Sequence, residues 1–293
     1  MGISAHLIAR RSAWSFLLLL AFLGCGAEGP DAPSVTPPTS PPRDQLNVAY
    51  GPSSEQLLDV HLPTDQGQPS PIVVLVHGGG WHWGARSDME AAAQTLRARG
   101  YAAFNVDYRL GSWPSYIQLE PKLDDIDLAI QFALSRPTEW RLSRKVALLG
   151  YSAGGHLSLQ DAYTRYPDAC AVVSFSGPTD LTDPLYQGDL RDSLTWLLGL
   201  PLTSDPASIR RYQDASPLYH VRAGLPATLL VHGTADPIAS YPDTQRLDAA
   251  LRNVGSTSQL MPIEGGDHGA IWTDWNAVMD VTSAWLTAHC SGN

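Results

Sequence analysis

The chain of 293 residues is predicted to form one α/β domain, with a mostly parallel central sheet, helices on both faces and a small cap insertion. Two observations predict this class. Short apolar runs alternate with helical stretches along most of the chain, as crossover connections between parallel strands require. Glycine-rich or polar segments follow several of the apolar runs directly, which marks the ends of the expected strands.

The order of elements follows from the apolar runs and their periodicity. The run Pro71–Val76 is apolar throughout, as expected for a strand buried on both faces. Strands are predicted at 57–62, 72–77, 102–107, 146–150, 171–175, 228–232 and 259–263. Helices are predicted at 87–98, 121–135, 154–166, 242–254 and 270–288. The cap insertion is expected at about 181–221, with one amphipathic piece at 190–200.

Residues 1–24 are predicted to be a targeting segment outside the fold. Arg10 and Arg11 precede an apolar core at 13–23 that is too short to span a membrane. The segment ends as a bacterial lipoprotein signal does, with Cys25 as the lipidated residue; an ordinary signal peptide remains the alternative. Export is therefore expected, with lipid anchoring to the outer membrane or, failing that, a periplasmic or secreted location.

Residues 25–45 are rich in proline, serine and threonine and are predicted to be a linker, which leaves 46–293 as the catalytic domain. The formal net charge is −10. Removal of residues 1–24 deletes two arginines and no acids, and takes the charge to −12. Such an acidic surface disfavours nucleic acid as a partner.

The strongest motif is Gly150-Tyr151-Ser152-Ala153-Gly154, directly after the apolar run 146–149. A G-x-S-x-G between a strand and a helix is typical of a nucleophile elbow, in which a strained turn exposes the serine hydroxyl. Ser152 is therefore the predicted nucleophile. The helix that follows directs its N-terminal dipole toward developing negative charge.

Three other segments complete the predicted site. His77-Gly78-Gly79-Gly80-Trp81 follows a strand, and its backbone N–H groups at Gly79 and Gly80, with that of Ala153, are predicted to form an oxyanion hole. Asp236 follows the run 227–231 and is the predicted acid. His268 follows the run 259–263 and is the predicted general base.

Each of these assignments has rivals. Asp267 and Glu264 are alternative acids, but Asp267 adjoins His268 in sequence, and adjacent loop side chains seldom meet correctly. Asp236 is preferred because it directly follows a strand. His77 is interpreted as a residue that orders the glycine loop, and not as a second base.

On these motifs and on the order Ser152, Asp236, His268, the chain resembles the α/β-hydrolase serine esterases. It is similar to the hormone-sensitive-lipase group and to acetyl/feruloyl esterases of the BD-FAE type, over about residues 46–290. The resemblance implies a serine carboxylesterase that acts on short-chain acyl or acetyl/feruloyl-type esters through an acyl-enzyme. Small-molecule or polysaccharide-linked esters would be its substrates.

The same residues leave other functions open. Arylformamidase or peptidase-type C–N hydrolysis would use the same three side chains, and lactonase or thioesterase chemistry is also compatible. A non-catalytic binding module is less compatible, because every element of the site is present. No metal-binding or nucleotide-binding motif appears, so no cofactor is predicted.

Substrate contact is the least specific prediction. Six tryptophans could line a pocket, and Trp81 and Trp272, nearest to the motifs, are the weak candidates for substrate binding. The six are Trp81, Trp83, Trp113, Trp196, Trp272 and Trp275. Cys170 and Cys290 are either joined by a disulfide, which an exported protein permits, or are two buried thiols.

Overall fold

The strands form where the sequence carries short runs of valine, isoleucine, leucine and phenylalanine. The computed structural model describes residues 43–64 and 67–291; the predicted signal segment and Cys25 lie outside them. The described strands are β1 (Arg43–Ala49), β2 (Leu57–Leu62), β3 (Ser70–Val76), β4 (Ala102–Val106), β5 (Gly111–Ser112), β6 (Ser115–Tyr116), β7 (Leu142–Tyr151), β8 (Ala171–Phe175), β9 (Ala227–Gly233) and β10 (Ser258–Ile263).

Eight of these strands form one sheet in the order β1-β2-β4-β3-β7-β8-β9-β10. The pairs β1–β2 and β2–β4 are antiparallel. The other six strands, β4, β3, β7, β8, β9 and β10, run parallel to one another. All parallel strands therefore end at the same edge of the sheet. Strands β5 and β6 form a separate small hairpin.

Helices connect the parallel strands and cover both faces of the sheet. They are α1 (Glu90–Ala98), α2 (Leu119–Leu134), α3 (Pro137–Trp140), α4 (Ala153–Thr164), α5 (Asp189–Leu198), α6 (Pro206–Asp214), α7 (Tyr241–Asn253), α8 (Ala270–Thr273) and α9 (Trp275–Cys290). Short 3₁₀ turns lie at Arg86–Met89 and Pro217–His220.

Two apolar cores lie on opposite faces, because successive side chains of a strand point in opposite directions. Val74 and Val76 of β3 pack in the core that contains residues of α2, α4 and α7. Val73 and Leu75 pack in the second core, with residues of α1 and α9. The predicted α/β class, with a mostly parallel sheet between helices, is confirmed.

The structure corrects three details of the predicted elements. Strand β1 begins at Arg43, so three residues assigned to the linker belong to the sheet. The helix predicted at 270–288 is divided at Asp274, which ends α8 and precedes α9. The insertion 181–221 contains two helices, α5 and α6, where one amphipathic piece was predicted.

A disulfide joins Cys170 to Cys290, so the last residue of α9 is covalently fixed beside the start of β8. This bridge lies at the edge of the sheet where β8 begins, opposite the edge at which the parallel strands end. Within 43–64 and 67–291, no helix combines the length and hydropathy that a bilayer crossing requires.

Candidate active site

Ser152 stands at the tight turn between β7 and α4. Its backbone has φ 55° and ψ −121°, a conformation that non-glycine residues rarely adopt. The turn also requires Gly154, because a Cβ there would lie 2.0 Å from the carbonyl oxygen of Val76 on the neighbouring strand. The sequence therefore specifies a turn that lifts the serine side chain beyond the edge of the sheet.

His268 contacts both other predicted members of the site. Its Nε2 lies 2.8 Å from Ser152 Oγ, and its Nδ1 lies 2.7 Å from Asp236 Oδ2. Because Nδ1 faces a carboxylate, it carries the ring proton of the neutral imidazole, which leaves Nε2 to accept the serine hydroxyl proton. The structure thus brings the three residues into one hydrogen-bonded row, although 116 residues of sequence separate Ser152 from His268.

Asp236 accepts hydrogen bonds through both carboxylate oxygens. The backbone N–H groups of Ile238 and Ala239 donate to Oδ1 at 2.7 and 3.0 Å. Oδ2 contacts His268 and also Nε2 of His232, at 3.0 Å. Burial opposes ionisation of Asp236, but the hydrogen bonds from His232 and His268 outweigh it and hold the pKa of the carboxyl well below its ordinary value.

Asp236 and His268 meet because β9 and β10 are parallel and in register. Gly233 at the end of β9 pairs with Ile263 at the end of β10, so the two loops leave the sheet at the same level. The N–H of Ala235 then donates to Gly266 across the gap, at 2.9 Å. The rival Asp267 is exposed, and its Oδ1 accepts the N–H of Gly269 within its own loop.

The glycine loop after β3 lies beside Ser152. Gly79 has φ +104°, and a Cβ there would lie 2.0 Å from the carbonyl oxygen of Trp83, so only glycine fits. Among the described residues, the backbone N–H groups of Gly79 and Gly80 find no acceptor. Ala153 is the first residue of α4, where helix geometry leaves the N–H without an intrahelical partner. All three residues line the cleft above Ser152.

His77 lies behind the glycine loop, fully buried. Its Nδ1 contacts the carbonyl oxygen of Gly78 at 2.7 Å, and its ring stacks on Tyr108 at 4.3 Å. Burial lowers the pKa of His77. These contacts fit a residue that orders the loop.

A cleft of about 570 Å³ opens at Ser152 and His268. Its walls are mostly apolar and aromatic. Trp81 lines it as a nearly buried side chain, 4% exposed, whose Nε1 donates to His156. The other aromatic and apolar residues that line it include His82, Trp83, Tyr151, Pro178, Tyr186, Leu190, Trp196 and Ile238.

Trp272 is not among the residues that line this cleft, so its contact with substrate stays a prediction that the cleft lining does not support. Its ring stacks on Trp275 at 5.0 Å and meets the ring of Tyr151 edge-on at 5.5 Å. Tyr151 lies between Trp272 and the cleft as a lining residue. Trp272 therefore supports the wall from behind.

A cluster that we call the aromatic wall stands at one side of the cleft: His82, Trp83 and Trp196 line the cleft, and Trp113 and Tyr116 pack against Trp196. The ring of Trp196, from α5, lies 5.0 Å from Tyr116, 5.1 Å from His82 and 5.8 Å from Trp113. Trp83 and Trp113 are 64% and 69% exposed. Sequence spacing could not unite these residues, because they come from the glycine loop, the β5–β6 hairpin and the cap.

His232, which contacts Asp236, is another residue to which the sequence analysis gave no role. The signal that could have found it is its place four residues before Asp236, near the end of the strand that precedes Asp236.

As to metals, no three His, Cys, Asp or Glu side chains within the described ranges are grouped to hold an ion.

Comparison with known proteins gives consistent matches. The chain is 27% identical over 262 residues to the esterase LipC of Mycobacterium tuberculosis, covering 76% of this chain and 59% of LipC. It is 28% identical to dipeptidyl aminopeptidase BIII of Pseudoxanthomonas mexicana over 76% of this chain, and it spans 34% of that protein. The chain thus spans less than two thirds of both of these curated relatives.

Two solved structures share the fold. A truncated carbohydrate esterase from gut microbiota superposes with a TM-score of 0.69 at 20% identity, covering 85% of this chain and 97% of that one. Esterase 2 of Thermogutta terrifontis, solved with butyrate bound, gives a TM-score of 0.67 at 23% identity, over 84% and 94% of the two chains.

The BD-FAE family model matches residues 58–251, well over half of the chain. That range includes the glycine loop, Ser152 and Asp236, and ends before His268. With the fold and the match in agreement, the chain belongs to the BD-FAE family and has the α/β-hydrolase fold.

Proposed function

We propose that this protein is a serine carboxylesterase that hydrolyses short-chain acyl or acetyl/feruloyl-type esters through an acyl-enzyme. The observation that carries the proposal is the row Ser152–His268–Asp236, with contacts of 2.8 and 2.7 Å at the floor of a cleft. Membership of the BD-FAE family, the likeness to the esterase LipC and the fold shared with two esterases support it.

In the proposed first step, Ser152 Oγ attacks the ester carbonyl carbon while His268 Nε2 takes the hydroxyl proton. Asp236 stabilises the imidazolium that forms and holds the ring in place. The tetrahedral intermediate collapses, the alcohol leaves with the proton from His268, and the acyl group remains on Ser152. Water, deprotonated by His268 Nε2, then attacks the acyl carbon; the second tetrahedral intermediate collapses, His268 returns the proton to Ser152 Oγ as the acyl–Oγ bond breaks, and the acid is released.

The backbone N–H groups of Gly79, Gly80 and Ala153 are the proposed donors to the oxyanion. In the described part of the chain, the N–H groups of Gly79 and Gly80 have no internal acceptor, and that of Ala153 lies in the first turn of α4. This supports the role, because a donor that is already satisfied cannot strengthen its bond in the transition state. A mispositioned donor of this kind typically costs about 10²–10³-fold in rate.

The shape and lining of the cleft support small, ring-bearing esters. A volume of about 570 Å³ suits a compact substrate better than a long-chain triglyceride. The exposed indole of Trp83, which lines the cleft, suits a planar aryl or a sugar ring that stacks on it while its polar edge stays hydrated. Feruloyl and acetyl-sugar esters, small or linked to polysaccharide, are the proposed substrates; no cofactor is required.

A peptidase-type C–N hydrolase is the second candidate, favoured by the match to the dipeptidyl aminopeptidase over 76% of this chain. Amide hydrolysis would use the same proton transfers. Its leaving group is a poorer one, so it makes greater demands on His268 as an acid. Parallel assays of ester and amino-acyl anilide substrates discriminate between the two candidates.

The location proposed for the enzyme is the bacterial outer membrane, through lipid on Cys25, after export. The support is the sequence of residues 1–25 and the Cys170–Cys290 disulfide, which an oxidising compartment favours. Retention of the Cys25→Ser protein in the membrane fraction would contradict lipid anchoring.

The first test is hydrolysis of p-nitrophenyl esters with acyl chains from C2 to C12, by wild-type protein and Ser152→Ala. We expect activity to be highest at C2–C4 and to fall at least about 10⁴-fold in the variant, because the nucleophile is removed. The matched control is Ser158→Ala in the same helix, whose buried Oγ has no partner in the described part of the chain.

Ser158→Ala should retain wild-type rates. Undiminished hydrolysis by Ser152→Ala would remove Ser152 as nucleophile. Activity only on anilides would favour the peptidase candidate.

A further inference from the structure

His232 is a buried imidazole in direct contact with the carboxylate of Asp236, the acid of the row Ser152–His268–Asp236. It is the last but one residue of β9, its side chain is 1% exposed, and its Nε2 lies 3.0 Å from Asp236 Oδ2. The same oxygen receives His268 Nδ1 at 2.7 Å. Asp236 Oδ2 therefore lies between two imidazoles, one on the side of the cleft and one on the side of the core.

The surroundings of His232 determine its tautomer. Nε2 faces two acceptors, Asp236 Oδ2 and the carbonyl oxygen of Ala239 at 3.1 Å, so Nε2 carries the proton. In the neutral ring Nδ1 is then an acceptor, and Thr244 Oγ1, 2.9 Å away in α7, is the hydroxyl that donates to it. A chain of donors runs from Thr244 through His232 to Asp236.

The titratable groups around His232 are few. Asp236 and, behind it, His268 lie on the two loops, and Tyr241 of α7 meets the ring edge-on at 5.9 Å. None of these is a second carboxylate. Among the described residues, the carboxylate in ion-pair contact with His232 is that of Asp236, which also faces His268.

We propose that His232, held by Thr244, is a positioning residue for the reaction, fixing Asp236 Oδ2 toward His268 and sharing its charge. This inference rests on the proposed function of the same row. The two N–H donors to Oδ1 fasten one side of the carboxylate, and the two imidazoles fasten the other, so the group cannot rotate about its Cβ–Cγ bond without breaking hydrogen bonds.

Sharing of charge has a measurable consequence. Loss of the His232 donor concentrates negative charge on the contact with His268, which stabilises the imidazolium. The fall of kcat/KM at acidic pH, which we call the acid limb and which reports protonation of His268, should then move to higher pH. Loss of orientation should lower kcat with little change in KM, because His232 is not among the residues that line the cleft and reaches His268 through Asp236.

The experiment compares His232→Leu, His232→Gln and Thr244→Val with wild type. Leucine removes the donor at similar bulk, and glutamine places an amide N–H near the position of Nε2. The matched control is His61→Leu. His61, in β2, is also a buried imidazole, 1% exposed, and it pairs with Asp44 and Glu90. It is not among the residues that line the cleft. Measured quantities are kcat, KM, the pH profile of kcat/KM on p-nitrophenyl acetate, and Tm.

We expect His232→Leu to lower kcat about tenfold, the effect of one hydrogen bond of ordinary net strength, and to raise the acid limb by roughly half a pH unit. His232→Gln should recover most of kcat. Thr244→Val should lie between the two. His61→Leu should lower Tm without moving the limb.

Two results would overturn the inference. One is wild-type kcat and an unmoved limb in His232→Leu. The other is an unmoved limb with equal loss of kcat and Tm in the leucine and glutamine variants, which indicates packing alone. The rate at which a fluorophosphonate labels Ser152, with fluoride as leaving group, supplies a readout independent of ester hydrolysis.

The labelling rate also separates the two proposals. Wild-type protein that labels at Ser152 but hydrolyses no ester contradicts the esterase, and slower labelling of His232→Leu then still supports the positioning role. Wild-type protein that does not label contradicts both.

Discussion

The backbone of Ser152 is held in a conformation that the isolated residue disfavours, and this cost is met by its neighbours. Its N–H donates to Phe175 at 2.8 Å, and its carbonyl accepts the N–H of His156 at 3.0 Å. The strand on one side and the helix on the other thus determine the turn from both ends. This is why the hydroxyl projects past the edge of the sheet, within reach of His268.

The residues that perform the proposed chemistry were accessible from the sequence, whereas those that support them were not. Ser152, Asp236 and His268 each follow an apolar run, and the motifs around them, with their order along the chain, single them out. The contact between His232 and Asp236, or between Trp196 and His82, depends on how a loop closes or on where the cap folds back. No local pattern encodes such contacts.

The choice of Asp236 over Asp267 can be tested by removing one charge at a time. Asp236→Asn should lower kcat about 10³–10⁴-fold, because an amide cannot stabilise the imidazolium and favours the wrong tautomer of His268. Asp267→Asn is the matched control, because Asp267 is an exposed neighbour whose Oδ1 accepts the backbone N–H of Gly269, and it should stay within about twofold of wild type. Steady-state kinetics on p-nitrophenyl acetate decide the matter; equal losses in both variants would contradict the assignment.

Elements with a clear apolar period were predicted, and elements that depend on partners elsewhere in the chain were missed. Strand β1 is polar and mostly exposed, and only its antiparallel pairing with β2 makes it a strand. The β5 and β6 strands are two residues each, too short for any periodicity. The break at Asp274 is invisible to a periodicity that continues across it.

Helix α4 is fastened to two other segments through His156. Trp81 Nε1 donates to Nδ1 at 3.1 Å, so Nε2 carries the ring proton and donates to the carbonyl oxygen of Ala215 at 2.7 Å. The bond from Trp81 requires a neutral ring, since a proton on Nδ1 would face the indole N–H. Burial correspondingly lowers the pKa of His156 to about 4.

This arrangement predicts acid sensitivity of the fold. Between pH 6.5 and about 4 the unfolded chain binds a proton at His156 that the native protein does not. The free energy of unfolding therefore decreases as the pH is lowered through this range. The loss attributable to His156 should approach about 3 kcal/mol. Urea unfolding at pH 7 and pH 4 measures it, with His156→Gln as the comparison.

The comparison with the variant is needed because other buried groups titrate in the opposite sense. Burial raises the pKa of Asp161, also in α4, so protonation there favours the native state in acid. A difference between wild type and His156→Gln that did not change from pH 7 to pH 4 would contradict the assignment to His156.

At the scale of the whole molecule, the Cys170–Cys290 bridge closes a loop of 120 residues. The loop contains the cap, Asp236 and His268, so the bridge restricts the unfolded chain over the part of the sequence that assembles the site. The bridge itself lies at the opposite edge of the sheet from Ser152. Stability and catalysis are therefore separable at this feature.

Replacement of both cysteines by alanine should lower the free energy of unfolding by about 2–5 kcal/mol, because the unfolded chain regains the entropy of an open loop. We expect kcat to stay unchanged under conditions where the variant is folded. Denaturant unfolding and esterase assays give the two quantities. Two thiols that react with an alkylating reagent in the unreduced, denatured wild type would show that the bridge does not form.

The aromatic wall stands on segments that take no part in the central sheet. Trp113 and Tyr116 come from the β5–β6 hairpin, and Trp196 comes from the cap helix α5, while Ser152 and Asp236 are held by strands of the sheet. We therefore expect changes in these insertions to alter the proposed choice of substrate without disturbing the nucleophile. Mutant libraries confined to the hairpin and α5 should change the selectivity among ester substrates while the yield of folded protein stays close to that of wild type. Such a fold is a suitable starting point for directed evolution.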